Sequence, residues 1–312
     1  MTPTAVRDAA GGPAAARGPR LGVLGWPVSH SLSPVMHNAA LRAVGLHAWR
    51  YQLLPVVPSL LAEVVRALAA AGFVGANATI PHKRDALLLA TEATERARAI
   101  GAANTLTFGP GGSIAADNTD APALIDRLPV PAAGRTALVL GAGGSARAAV
   151  WALLDAGAAE VAVLNRTAER ARELCAELGA TPVARPRPAD LVVNCTSAEL
   201  GGGDPLRALG LDPGALSDYG CVADLVYVAG GSRLVRAARE RAIPTVDGLE
   251  LLVAQGALSF ERFTGRRAPV DVMRAAVHAG GAPSVDPVPG QGGAGGRGHA
   301  GRRGRGHSGA SG

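Results

Sequence analysis

"RTALVLGAGGSARAAVWALLDAGAAEVAVLNRT", residues 135–167, runs from a short apolar stretch through a glycine turn into a longer run with helical spacing, then into a second apolar stretch. That order is strand, turn, helix, strand, the opening unit of a doubly wound parallel sheet. Within it "GAGGSA", residues 141–146, fits the pattern G-x-G-x-x-G/A with Ala146 in the third place. With 42 glycines in the chain, the match alone says little. Its setting says more, because "ALVL" precedes it and "ARAAVWALLDAG" follows, as the dinucleotide fingerprint requires. Gly141 permits a tight turn, and Gly143 lets backbone N–H groups approach a pyrophosphate at the helix N-terminus. Ala142, Gly144 and Ser145 complete the cradle.

The end of the second strand selects between nucleotides. An acidic residue about 20 positions after the glycines would bind a ribose hydroxyl. Here the strand runs into "NRTAER", Asn165 to Arg170, with no acid at that place. Arg166 and Arg170, flanked by Asn165 and Thr167, can instead receive a 2′-phosphate through planar guanidinium forks, which points to NADP. The alternative is two solvated arginines in an arginine-rich chain.

Strand and helix patterns alternate outward from this unit. Before it come a strand at 20–25, a helix after Ser33 and Pro34, and a helical run ending at Gly72. The strand "FVGANAT" follows, then a helix begun by Pro81, and a hairpin of "NTLTF" and "SIAAD". Ser33 is a natural cap for its helix, and Asp120 for the one that follows it. After the unit come a helix at 167–178, strands "DLVVNC" and "CVADLVY", a helix at 232–242, and two helices near 249–264 and 269–278. The expected fold is α/β in two domains. Residues 20–121, completed by helices 252–279, form an α/β substrate domain; residues 122–251 form a Rossmann-like, doubly wound NADP domain.

Composition narrows the function classes. The chain has 312 residues, 48% hydrophobic and 18% charged, with no apolar run of the roughly 18 residues that a membrane span needs. Residues 1–19 are expected to be a disordered leader without a signal peptide, and the protein cytoplasmic. Three scattered cysteines, Cys175, Cys195 and Cys221, suggest no metal. The net charge of +6 is concentrated at the ends, in Arg7, Arg17 and Arg20 and in Arg297, Arg302, Arg303 and Arg305. The Gly/Arg-rich tail 280–312 is expected to be disordered and to bind no specific nucleic acid.

A further set of stretches resembles the shikimate dehydrogenase family: "GWPVSHSLSPVMHN" (25–38), "NATIPHK" (77–83), "GAANT" (101–105) and "DNTD" (117–120). In the family's order there then follow "GAGGSARA", "NRTAER", "NCTS", "DLVY" and "DGLELLVAQGA". The likeness covers residues 20 to about 278. It implies reduction of the ketone of 3-dehydroshikimate to shikimate with NADPH. It also implies that Ser31, Ser33, Thr79 and Tyr227 hold the substrate carboxylate, and that Lys83, Asn104, Asp120 and Gln255 surround the ring hydroxyls. Glu95, Leu225 and Gly248 are placed near the cofactor, while His30 and His37 receive no proton-transfer role. Departures from the family pattern are Leu225 in place of methionine, Cys195 in place of alanine and Glu250 in place of glycine.

Lys83 stands out independently, since Lys and Arg together number 31 and it is the single lysine. Reducing a ketone generates an alkoxide that must be protonated, which an ammonium can do and a guanidinium cannot near neutral pH. Lys83 with Asp120 is therefore the expected catalytic pair, although Asp120 could equally serve as a helix cap. Readings left open are an NAD-using quinate/shikimate dehydrogenase and a non-catalytic NADP-binding protein. A homodimer is compatible with the sequence but not specified by it.

Overall fold

The computed structural model describes residues 18–280 except 200–203, 205, 206, 208, 209, 212 and 229. All of the expected leader but its last two residues, and all of the expected tail but Gly280, lie outside the described residues.

The first sheet is built from β1 (Arg20–Gly25), β2 (Arg50–Pro55), β3 (Phe73–Ala78), β4 (Glu92–Ala93), β5 (Thr105–Phe108) and β6 (Ile114–Asp117), in the order β2-β1-β3-β5-β6-β4. β2, β1 and β3 are parallel, and β5 runs antiparallel to both β3 and β6. Alternate residues face opposite sides of a strand. Leu21 and Val23 accordingly pack with Met36 and Leu41 of α1 (Ser33–Ala43), whereas Leu24 packs on the other face with Leu61 and Val65 of α2 (Leu61–Leu68). Three more helices interleave these strands or follow them: α3 (Lys83–Leu88), α4 (Glu95–Ile100) and α5 (Asp120–Arg127).

The second sheet contains β7 (Thr136–Leu140), β8 (Glu160–Leu164), β9 (Thr181–Val183), β10 (Ala189–Asn194), β11 (Tyr219–Asp224) and β12 (Thr245–Val246). It is parallel throughout, in the order β9-β8-β7-β10-β11-β12. The four successive apolar residues of β7 require cover on both faces. Ala137 and Val139 lie under α6 (Gly144–Asp155) and α7 (Ala168–Leu178); Leu138 and Leu140 lie under α8 (Arg233–Arg239). The direction of strand addition reverses between β7 and β10, and at such a switch point the two following loops part to leave a crevice.

The chain passes between the sheets twice, through α5 and through α9 (Gly248–Thr264), and closes with α10 (Val270–Ala279). Asp247 caps α9 by accepting from the amides of Leu249 and Glu250, at 3.1 and 3.2 Å. α5 packs against both α6 and α9, and Phe260 and Phe263 of α9 enter the core beneath β1.

Four local expectations change. Ser33 is the first residue of α1, not its cap, and no side chain caps that helix. The helix expected from Pro81 starts at Lys83, because the His82 amide is drawn into a turn with the Thr79 carbonyl at 2.8 Å. The strand expected through "CVADLVY" ends at Asp224, whose carboxylate takes the Val226 amide and turns the chain. At α5 the N-cap position is Thr119, and the residue before it, Asn118, supplies the capping oxygen: its Oδ1 accepts from the amides of Asp120 and Ala121 at 3.1 and 3.2 Å. Asp120 is thus free of capping.

Candidate active site

Lys83 opens α3 immediately below the end of β3. Its ammonium donates to Asp120 Oδ2 and to Ser145 Oγ, both at 2.8 Å. Lys83 and Asp120 are mostly buried, with side-chain exposures of 11% and 13%. The other oxygen of Asp120 accepts from Asn104 Nδ2 at 2.8 Å, and Gln255 Oε1 lies 3.3 Å from the same nitrogen. Lys83, Asp120, Asn104 and Gln255 therefore form one cluster, although they come from α3, α5, the start of β5 and α9.

The hydroxyl residues gather beside it. Ser31 Oγ donates to Ser33 Oγ at 3.2 Å. Tyr227, on the loop after β11 of the second sheet, lies beside the Ser31 side chain and the Leu32 backbone. Burial raises the Tyr227 phenol above its ordinary pKa and outweighs the opposing influence of these neighbours, so it stays protonated and able to donate. Thr79 stands at the end of β3, where its methyl would lie 2.6 Å from any Cβ at Gly25. Glycine at 25 is what allows the first loop to pass so close.

A buried chain of side chains leads from Tyr51 into the lysine cluster, and the sequence alone does not show it. Tyr51 Oη donates to Asn77 Oδ1 at 2.8 Å, and Asn77 Nδ2 donates to the Asn104 carbonyl at 3.0 Å. Thr105 and Thr119 hydroxyls donate to Asn104 Oδ1, at 2.9 and 3.1 Å. The spacing of Asn77 and Thr79 on one strand face was the available signal. Tyr51 offered none. His37 stacks on Tyr51 with ring centroids 4.3 Å apart, and burial lowers its pKa to about 3, so it is neutral.

The glycine turn lies across the crevice. Gly141, at φ 108°, packs against the Cys195 backbone, with 3.2 Å between that carbonyl and an added Cβ. Gly143 is the N-cap of α6; no side chain caps the helix, and a Cβ on Gly143 would meet nothing within 4 Å. The open first-turn amides after Gly143 suit a pyrophosphate, so the residues present fit a dinucleotide. At the end of β8, Arg166 and Arg170 are exposed, while the neighbouring Arg172 is paired with Glu169. Asn165 Nδ2 donates to the Thr167 carbonyl at 2.8 Å and shapes that corner. Gly248 abuts the 226–227 backbone, where an added Cβ would lie 2.4 Å from the Val226 carbonyl, and the Leu225 amide donates to the Asn194 carbonyl at 2.9 Å. Glu95 is exposed at the start of α4 and forms no hydrogen bond or ion pair with the cluster among the described residues. The Cys195 thiol, beside the switch point, is pushed up in pKa by burial and is no nucleophile at neutral pH.

This fold and site define a two-domain α/β dinucleotide-binding protein, with a lysine–aspartate pair facing the nucleotide turn across the crevice. Family models match the chain in three segments: the shikimate dehydrogenase substrate binding domain at 23–106, shikimate/quinate 5-dehydrogenase at 126–199, and the shikimate 5′-dehydrogenase C-terminal domain at 248–278. The NADP(+) shikimate dehydrogenase of Paracoccus denitrificans is 44% identical over 267 residues, covering 81% of this chain and 93% of that protein. The chain belongs to the shikimate dehydrogenase family. The shikimate 5-dehydrogenase of Thermus thermophilus, solved with NADP(H) and shikimate, superposes with a TM-score of 0.72 at 36% identity, over 82% of this chain and 97% of that one. A 5-ketofructose reductase of Gluconobacter superposes with a TM-score of 0.70 at 29% identity, over 84% of this chain and 98% of that one.

Proposed function

We propose that this protein catalyses the reversible NADPH-dependent reduction of 3-dehydroshikimate to shikimate. The observation that carries the reading is the chain's single lysine, fixed by Asp120 at 2.8 Å and facing the nucleotide turn. NADPH, when bound, supplies the hydride that converts the ketone to an alcohol. Lys83 gives its proton to the developing alkoxide oxygen and, in the reverse direction, receives it. Two of its three N–H donors are engaged, by Asp120 and Ser145, which leaves the third for a substrate oxygen. Asp120 orients the ammonium and is itself held by Asn104. Asn104 and Gln255 take neighbouring ring hydroxyls, and the hydroxyls of Ser31, Ser33, Thr79 and Tyr227 receive the carboxylate.

In this reading residues 20–121 with 252–279 hold the substrate, and residues 122–251 hold NADP. Gly141 to Ala146 cradle the pyrophosphate, Asn165 to Thr167 and Arg170 the adenosine end, and Leu225, Gly248 and Glu95 the remaining cofactor surface. The reading carries a cytoplasmic location and admits a homodimer, which light scattering on the purified protein would decide.

The test follows nicotinamide absorbance with shikimate or quinate and with NADP or NAD. Reduction of cofactor with shikimate and NADP is expected, and failure in that mixture from folded protein overturns the proposal. Lys83→Ala is expected to lower kcat by about 10²–10⁴-fold while NADP still binds; equal loss of binding would make Lys83 structural. Arg166→Ala is expected to weaken NADP far more than NAD, and an equal effect would remove the 2′-phosphate assignment.

A further inference from the structure

The fingerprint asks for small residues in the glycine turn, but it does not ask for a hydroxyl at 145. Ser145 is one of the two positions marked x between Gly143 and Ala146, where alanine would serve a pyrophosphate equally well. Its side chain does not cap α6 either, as that helix has no side-chain cap. The oxygen is instead engaged by Lys83 at 2.8 Å, from the other side of the crevice. The residue before it points the same way. A Cβ on Gly144 would lie 2.6 Å from Lys83 Cβ and 3.2 Å from its Cδ, so the lysine stem rests directly on the turn backbone.

We propose that Ser145 is a positioning residue for proton transfer by Lys83, so that the glycine turn serves the proton donor as well as the dinucleotide. This rests on the function proposed above. The physical need is clear from the geometry of an ammonium. One hydrogen bond to Asp120 leaves Lys83 free to rotate about that bond, and its long stem has many rotamers to lose. A second bond, to Ser145 Oγ, removes that freedom and aims the third N–H. A neutral acceptor is suited to the task, because a second carboxylate would hold the charge too firmly for the proton to leave. The Ser145 hydroxyl accepts from Lys83, so its own hydrogen points away from the ammonium.

Steady-state kinetics and NADP titration calorimetry on wild type, Ser145→Ala and Ser145→Thr test this. Ser145→Ala is expected to lower kcat about ten- to a hundredfold, the effect of losing one charge-assisted hydrogen bond, with the NADP Kd unchanged within about twofold. Ser145→Thr keeps the hydroxyl and is expected to restore kcat to within about twofold of wild type. Weaker NADP binding at unchanged kcat would assign the hydroxyl to the cofactor and overturn the proposal, as would an equal loss in the threonine variant. A second measurement does not depend on the reaction. Because Lys83 is the only lysine, protein labelled with ¹⁵N-lysine gives a single side-chain ammonium signal. Its hydrogen exchange is expected to quicken several-fold in Ser145→Ala. Unchanged exchange would show that Ser145 does not hold Lys83, whatever the enzyme's substrate.

Discussion

Asp117 and Asp224 occupy matching places, each the last residue of its strand, β6 in the first sheet and β11 in the second, and both are buried. Their surroundings make them opposites. Burial raises the pKa of Asp117, but Arg96 at 2.6 Å, the Thr94 hydroxyl and the charge of Arg262 outweigh it and hold the carboxyl below its ordinary value. Asp224 receives comparable hydrogen bonds, from Ser232 Oγ at 2.6 Å, the Val226 amide at 2.9 Å and Asn194 Nδ2 at 3.0 Å. No cation is among these partners, and burial pushes its pKa up to about 7. Neutral donors satisfy a buried carboxylate's geometry, whereas only an opposite charge offsets the lost hydration of its ion. The two sites also do different work. Asp117 anchors α9, the helix of Gln255, to the first sheet through Arg262. Asp224 ties the loop of Leu225 and Tyr227 to the switch point.

The sharpest way to break the contrast is to remove both cations. Arg96→Ala with Arg262→Ala leaves Asp117 buried and unpaired, at an expected cost of about 3–5 kcal/mol near pH 7, read from urea unfolding. The sign of its pH dependence should also reverse. In wild type the depressed Asp117 adds stability that is present above its unfolded pKa of about 3.9 and is lost as pH falls through the folded value. In the double variant its contribution should instead decline as pH rises.

Asp224→Asn is the next test. The folded carboxyl is raised, so its contribution is full below its unfolded pKa of about 3.9. It is lost as pH rises to about 7, the value in the folded protein. The stability gap between wild type and variant should narrow over that window and stay level above it. A gap independent of pH would mean that Asp224 titrates normally. The smallest effect is expected from Ser232→Ala. Ser232 Oγ accepts from the Val235 amide at 3.1 Å as the cap of α8 and donates to Asp224, so about 0.5–2 kcal/mol should be lost on thermal unfolding.

Several parts of the site could be read without coordinates, because the chemistry constrains residue types at short spacing. The glycine turn had to be small and lie between a strand and a helix, and α6 begins at Gly144 as that spacing requires. Lys83 was legible as the single lysine of the chain, and the role proposed for it is one that arginine could not fill. What failed was local competition among polar residues. Asn118, Asp120 and Ser33 all have side chains suited to capping, and only the folded geometry assigns that role to Asn118 and frees Asp120 for Lys83. β2 carries little periodic signal, because it is an edge strand with one buried residue, Tyr51.

The sequence by itself determined the two α/β units, the dinucleotide turn, the arginines at the end of β8 and the single lysine to which proton transfer is assigned in the proposed function. Each of these depends on residues near one another in the chain. Tertiary structure alone decided that Ser145 meets Lys83, that Tyr227 crosses to Ser31, that Tyr51 reaches Asn104 through Asn77, and that one buried aspartate is an ion while the other titrates near neutrality. The physical reason is that a hydrogen bond and a desolvation cost depend on which groups meet in space, and sheet order and the crossings through α5 and α9 bring distant segments together with no trace in local spacing.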